Sequence, residues 1–168
     1  MQTRRLLLSG LGLSLSLPLW AQVKTPSKIS NWAEIEKMAR GQTVYFNAWA
    51  GSERINAYLQ WVAAEVKSAH GITMEHVKIK DTVEAVKRIR LEKTAGKLTN
   101  GSADIVWING ENFLAMKKEG LLYGPFAEQL PSFKWVDTNG KPTTLRDFSE
   151  PTAGLEAPSG MAPLTFMA

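Results

Sequence analysis

The chain has 168 residues, 44% hydrophobic and 21% charged, a composition typical of a globular domain of ordinary size. It contains no cysteine, which excludes disulfides, thiolate metal sites and cysteine nucleophiles, and its two histidines leave little for a histidine-built metal centre. The formal net charge of +4 falls to +2 without residues 1–21, because 18 basic residues then face 16 acidic ones, so the charge gives only weak support for nucleic-acid binding.

The first 21 residues have the pattern of a secretory signal. Arg4 and Arg5 precede a leucine-rich run at 6–20, and Ala21 offers a cleavage point. The run is too short to be a good membrane span. The paired arginines leave both the general secretory route and the twin-arginine route open. We therefore expect residues 1–21 to be removed and the mature protein to be periplasmic.

Helix and strand patterns alternate along the next hundred residues. The spacing of apolar residues and the capping residues predict a helix capped by Ser30, a strand at 44–48, a helix capped by Ser52 and ended by Gly71, a strand at 72–79, a helix beginning at Asp81, a strand at 103–108 and a helix at 113–119. This alternation predicts an α/β fold with a parallel sheet, helices on both faces and right-handed crossovers. Six prolines punctuate residues 121–168, and we expect 121–160 to be mostly loops with short helices.

The third predicted strand, "ADIVWI", is nearly all apolar. Such a run is typical of a strand that is covered on both faces of a parallel sheet. We therefore expect Trp107, inside this strand, to be a core residue.

Two polar turns follow predicted strands, "NAWAGS" after the first and "NGEN" after the third. Ligands of open parallel sheets collect at the carboxyl ends of the strands, where the strand order reverses. If the first and third strands are neighbours, the two turns share one rim, and helix N-termini there add N–H groups that favour anions. The candidate ligand-binding residues are Asn47, Trp49, Gly51, Ser52, Asn109, Gly110 and Glu111.

Each of these side chains also has a purely structural interpretation, which the residues alone leave open. Asn47 and Asn109 suit turns, because asparagine tolerates unusual backbone angles. Trp49 suits a partly buried core position, and Ser52 suits a helix cap. Glu111 suits the positive end of its helix.

No catalytic motif is present. The chain lacks G-x-S-x-G, H-E-x-x-H, a phosphate-binding loop and G-x-G-x-x-G, so we predict no catalytic residue, no metal and no cofactor. A basic cluster of Lys87, Arg88, Arg90 and Lys93 is best interpreted as the solvated face of a helix, and we expect no nucleic-acid partner.

The order "GQTVYFNAWAGSERINAYLQWVAAEV…GITMEHVKI…GSADIVWINGENFLAMKKEGLLYGPF" resembles the periplasmic substrate-binding proteins of bacterial ABC importers. It is most similar to the family 1 extracellular solute-binding proteins, near their thiamine-binding branch. The most specific part is "G-x-A-D-I-V-W", followed by a polar turn, a short helix and "EGLLYGPF". In that family two α/β lobes close over a small solute, and the ligands touch the turns after the first and third strands.

The resemblance implies a periplasmic-binding-protein-like (type II) architecture with its second lobe missing. Residues 22–160 would be the N-terminal lobe, and 161–168 would be the start of a crossing (hinge) strand that is cut short. The implied function is capture of a small-molecule solute by a monomer and its delivery to an ABC permease in the inner membrane. A sensor of the same fold, a secreted enzyme and a non-functional remnant are the alternatives.

Overall fold

A computed structural model of the protein describes residues 31–160. The predicted signal peptide at 1–21, the first residues of the predicted lobe and the predicted crossing strand at 161–168 lie outside the described residues. The prediction that Ser30 caps the first helix is wrong, because the cap is Asn31, whose side chain accepts a hydrogen bond from the N–H of Ala33 at 3.1 Å. Within the described part, no helix combines the length and the apolar character needed to cross a membrane.

Four α-helices and three strands alternate in the first part of the described chain. The helices are α1 (Trp32–Ala39), α2 (Glu53–His70), α3 (Thr82–Thr94) and α4 (Gly110–Lys118), and the strands are β1 (Thr43–Trp49), β2 (Thr73–Ile79) and β3 (Ile105–Val106). Three short 3-10 helices follow at Ala127–Gln129, Pro131–Trp135 and Pro142–Leu145, and then a hairpin of β4 (Arg146–Asp147) and β5 (Glu150–Pro151). The predicted loop-rich character of 121–160 is confirmed.

The strands β1, β2 and β3 form one parallel sheet in the order β2-β1-β3. All seven residues of β1 pair with β2, in a register that sets Trp49 opposite Ile79. Only Phe46 and Asn47 pair with β3. The predicted parallel sheet flanked by helices is therefore confirmed, and the first and third strands are neighbours in it.

Local capping contacts explain where the helices begin and end. The Ser52 hydroxyl accepts a hydrogen bond from the N–H of Ile55 at 3.4 Å, and the Asp81 carboxylate accepts one from the N–H of Val83 at 3.0 Å. Gly71 ends α2 with φ +68°, a left-handed conformation that glycine adopts without a steric penalty. All three residues act where the sequence predicts a helix end.

The two faces of the sheet are covered by different helices. Asn47 is bound by Arg88 of α3, which places α3 over the face of β1 to which Asn47 points. A groove between α2 and β2 is lined by Leu59, Met74 and His76, on the opposite face. The buried apolar residues of the described chain are Ala48, Leu59, Ile79, Ala85, Val86, Phe113, Met116 and Ala127.

The third strand is shorter and more exposed than the sequence predicts. Only two of the six predicted residues pair as a strand, and Ile105 is 49% exposed. The N–H of Tyr45 is taken by the side chain of Asp104 at 2.8 Å, and β3 has β1 as its one described neighbour. The prediction of a core position for Trp107 is wrong, since 38% of this residue is exposed.

Candidate functional site

The carboxyl ends of the three parallel strands meet at one edge of the sheet, which we call the carboxyl edge. The chain leaves β1 for β2 on one side and then returns past β1 to β3, so the strand order reverses at β1. Two hydrogen bonds tie the turns together there: the N–H of Ala50 donates to the carbonyl of Ile79 at 3.1 Å, and the hydroxyl of Thr82 donates to the carbonyl of Trp107 at 3.1 Å. Reversal points of this kind are where open α/β sheets bind ligands.

Trp49 is the last residue of β1 and presents its indole ring at the carboxyl edge. The ring lies against Gly51, so closely that a Cβ added to Gly51 would overlap the six-membered ring. Glycine is therefore needed at position 51 for the indole ring to approach the backbone this closely. Trp49 as a whole remains 44% exposed. Trp49 is thus partly buried, as its structural interpretation requires, and part of its surface is open at the carboxyl edge.

A cavity of about 310 Å³ opens beside the indole ring, between the ends of β1 and β2. Its lining is Trp49, Ala50, Gly51, Lys78, Ile79 and Lys80. The two lysines were missed by the sequence analysis, which considered the turns after the first and third strands. The available signal was their position at the carboxyl end of the second strand, which meets the same edge of the sheet as the end of the first.

Asn47 lies beneath the carboxyl edge and has no exposed surface. Its amide nitrogen donates to the carbonyl of Tyr45 at 3.4 Å, and its amide oxygen accepts from the guanidinium of Arg88. Arg88 also donates to the hydroxyl of Ser102 at 2.8 Å. Asn47 is thus occupied inside the fold, joining β1 to α3, and does not line the surface of the edge.

Three residues of the basic cluster on α3, Lys87, Arg90 and Lys93, are exposed as predicted, but the cluster also makes structural contacts. Besides the buried contact of Arg88, Arg90 forms a two-point ion pair with Glu119 at 2.6 and 2.7 Å. Lys93 donates to the carbonyls of Glu119 and Gly120 at 2.7 and 3.2 Å, at the C-terminal end of α4. These contacts hold α3 against α4.

Ser52 acts as the helix cap described above, and its hydroxyl is engaged by the first turn of α2. One turn further, the amide nitrogen of Asn56 donates to the carbonyl of Ala50 at 3.0 Å. Both contacts fix the turn that carries the indole ring of Trp49 out of the sheet. Ser52 and Asn56 therefore position the candidate site.

The turn after β3 forms the beginning of α4. Asn109 is exposed and precedes the helix, but its side chain makes no capping hydrogen bond. Gly110 is buried, and its N–H donates to the carboxylate of Asp147 at 2.6 Å, with the ring of Phe148 beside it. Glu111 is exposed in the first helical turn. The N–H of Gly110, one of those expected to favour an anion here, is thus occupied by the protein's own carboxylate.

A second carboxylate lies near this helix start. Burial, with a smaller contribution from the charge of Asp147, raises the pKa of Glu156 to about 7. Burial also raises the pKa of Asp147, against the opposing effect of the Gly110 N–H. One oxygen of Glu156 is buried without a hydrogen-bond partner among the described residues.

Within residues 31–160, no group of three His, Asp or Glu side chains lies close enough to hold a metal ion. The carboxyl edge instead offers an aromatic face, two ammonium groups and backbone polar groups. Such a combination can bind a small molecule by stacking and by charge.

The fold and this edge define a mixed α/β lobe whose candidate site lies at the carboxyl ends of its parallel strands. No protein-family model matches the chain, and no solved structure matches it. The chain is similar to Protein YnjB of Escherichia coli (strain K12), with 48% identity over 139 residues. The match covers 83% of this chain and 35% of that protein, so the chain spans about a third of the length of its relative.

These comparisons contradict the predicted membership of the ABC importer substrate-binding family. No family model supports it, and the relative is named only as Protein YnjB, not as a substrate-binding protein. The motif "G-x-A-D-I-V-W" encodes a short strand and its flanking turn, features that the α/β fold itself requires. It is not sufficient for a family assignment.

Proposed function

We propose that this lobe binds a small solute at its carboxyl edge. The observation that carries the proposal is the half-exposed indole of Trp49, held against Gly51 beside a cavity of about 310 Å³ at the carboxyl ends of β1 and β2. A large aromatic face left open in a fixed orientation offers stacking surface at low entropic cost. Surface-exposed tryptophan is common, but an adjacent concavity lined by both apolar and charged residues is a usual environment of a ligand.

The proposed architecture is an N-terminal lobe of the type II periplasmic-binding kind. The cavity is shallow and open, and a second lobe closing over it would remove the solute from water and add contacts. The relative extends well beyond the part that this chain matches, which leaves room for such a lobe. The proposal rests on the carboxyl edge and not on family membership.

The proposed role is solute capture in the periplasm for an ABC-type permease of the inner membrane. The support is the signal-like start of the sequence together with the solute-sized cavity. A sensor would use the same cavity without transport. Uptake of the bound solute by cells with and without the gene separates the two roles, because loss of a sensor leaves the permease able to import.

Binding is tested by NMR titration of the full chain with amino acids, sugars, nucleosides and small carboxylates. The indole N–H signal of Trp49, assigned by its loss in Trp49→Phe, is expected to move with a solute that binds. Trp49→Ala should abolish that binding while the remaining spectrum stays folded. Trp135→Ala is the matched control, since Trp135 is 80% exposed in a 3-10 helix away from the cavity lining. Equal binding by wild type and Trp49→Ala would refute the proposed site.

A further inference from the structure

The charges around the cavity beside Trp49 are all of one sign. Lys78 and Lys80 line it, both are exposed, and no carboxylate is among its lining residues. Neither lysine has an ion pair or a side-chain hydrogen bond among the described residues. The three ion pairs in that part of the chain are Arg90–Glu119, Lys97–Glu92 and Lys117–Glu150.

From this arrangement we infer that the solute is a flat organic anion, with its ring on the indole of Trp49 and its anionic group between Lys78 and Lys80. This inference rests on the proposed function and names its solute class. A carboxylate and a phosphate ester share the required chemistry, because both present oxygens to ammonium donors.

The placement of the two lysines favours an anion over a cation. Lys78 is the last but one residue of strand β2 and Lys80 directly follows the strand, and both line the same cavity as the indole ring, so an anionic group in that cavity meets two basic residues. An unpaired pair of like charges is a repulsive arrangement that a bound anion relieves. A cationic solute would meet the same two charges as repulsion.

The acidic residues of the edge do not compete for this position. Glu111, a candidate ligand-binding residue, belongs to the first turn of α4 and is absent from the cavity lining. Asp147 accepts the N–H of Gly110 at the same helix start. Glu53 at the start of α2 and Asp81, which caps α3, are the acidic residues nearest to the two lysines, and neither is among the residues that line the cavity.

Three ring compounds of nearly the same shape test the preferred charge of the solute. Benzoate is negative, benzamide is neutral and benzamidine is positive. Each is titrated into the full chain while the Trp49 indole N–H is followed by NMR. We expect benzoate to bind most tightly and benzamidine least. Phenyl phosphate, run in parallel, distinguishes a carboxylate preference from a phosphate preference.

Lysine variants locate the charge effect. Lys78→Gln and Lys80→Gln should each weaken benzoate binding by about two- to fivefold, the range of exposed charge pairs, and leave benzamide binding unchanged. Lys118→Gln is the control, because Lys118 is an exposed residue at the far end of α4 without a side-chain contact among the described residues. Raising the salt concentration should weaken benzoate binding in wild type and have little effect in the double variant.

The outcomes separate this inference from the proposed function. Equal or tighter binding of benzamide or benzamidine at Trp49 overturns the anion inference and leaves solute binding intact. Benzoate binding that Lys78→Gln and Lys80→Gln do not weaken also overturns it. If none of the three compounds moves the Trp49 signal up to its solubility limit, the anion inference fails, and solute binding is then decided by the wider panel and Trp49→Ala.

Discussion

At the scale of single residues, the carboxyl edge depends on contacts that exclude ordinary substitutions. Gly51 is not in a left-handed conformation, so its requirement is for space rather than for backbone freedom. The polar amide of Asn47 can be buried because both of its ends have hydrogen-bond partners, one on β1 and one on α3. Both residues act on the site without offering a side chain to a ligand.

We predict that Gly51→Ala displaces the indole of Trp49. The new methyl group would overlap the ring, and the exposed indole can rotate away while the strand stays in place. The emission of Trp49, taken as the difference from the same protein with Trp49→Phe, should change, and solute affinity should fall. Gly160→Ala is the matched control, because a Cβ there meets nothing within 4 Å. Unchanged Trp49 emission would show that the ring is not held by Gly51.

We predict that Arg88→Ala destabilises the fold by about 1–3 kcal/mol, because it leaves the buried amide oxygen of Asn47 without a donor. Lys87→Ala, the adjacent exposed position on α3, should change the free energy of unfolding by less than about 0.5 kcal/mol. Urea unfolding of the two variants provides the measurement. A double-mutant cycle with Asn47→Ala isolates the pair, and a coupling near zero would contradict the assignment.

At the scale of elements, the sequence predicts well wherever the signal is local. Ser52, Asp81 and Gly71 mark helix ends through contacts within four residues, so a short stretch contains the whole interaction. The length of β3 depends instead on the side chain of Asp104 binding β1, 59 residues away in sequence. The sequence predicts that α4 begins at residue 113, whereas it begins at Gly110. The stretch "NGEN" contains turn-forming residues, yet it lies at the N-terminus of the helix.

The start of α4 is capped from a distance, and we predict unequal effects of removing the two candidate caps. Asp147→Ala should cost about 0.5–2 kcal/mol, the range of lost helix N-caps, because its carboxylate accepts the N–H of Gly110. Asn109→Ala should have a smaller effect, since that side chain makes no capping bond. Asp147→Asn, which keeps an acceptor oxygen, should recover part of the loss. Denaturant unfolding compares the three, and a larger loss from Asn109→Ala would reverse the interpretation.

At the scale of the whole molecule, the order of helices and strands predicts where the candidate site lies. It does not predict which residues from neighbouring strands and loops line it. The alternation of helices and strands is sufficient to place polar turns at one carboxyl edge, and Trp49 lies there. Lys78 and Lys80 share a cavity with Trp49, because the cavity opens between β1 and β2 rather than between β1 and β3. The hairpin that covers Gly110 lies 37 residues further along, beyond any local pattern. The family resemblance failed for a related reason, since strand and turn motifs specify the α/β architecture more strongly than membership.

The buried carboxylate of Glu156 gives the whole fold a pH dependence with a defined sign. In the unfolded chain this group ionises near its ordinary pKa of 4.5, whereas in the fold burial and the charge of Asp147 raise its pKa to about 7. Between these values the folded state retains a proton that the unfolded state releases, so stability falls as pH rises and the loss is complete above about pH 7. The lowered pKa values of Glu92 and Glu119 act in the opposite direction, but only below about pH 4.5.

We therefore predict that the protein melts at a higher temperature at pH 5.5 than at pH 8. The expected difference is roughly 2–6 °C, since about 1 kcal/mol moves the Tm of a domain of this size by ~2–4 °C and partial solvent exposure weakens the charge effect. Glu156→Gln keeps the shape of the side chain without its charge and should remove most of the difference, whatever the histidines contribute, because both proteins share them. Calorimetry at the two pH values makes the comparison. An equal pH dependence in wild type and Glu156→Gln would mean that Glu156 is ionised in the fold at pH 5.5. Water would then have to reach the buried carboxylate oxygen of Glu156.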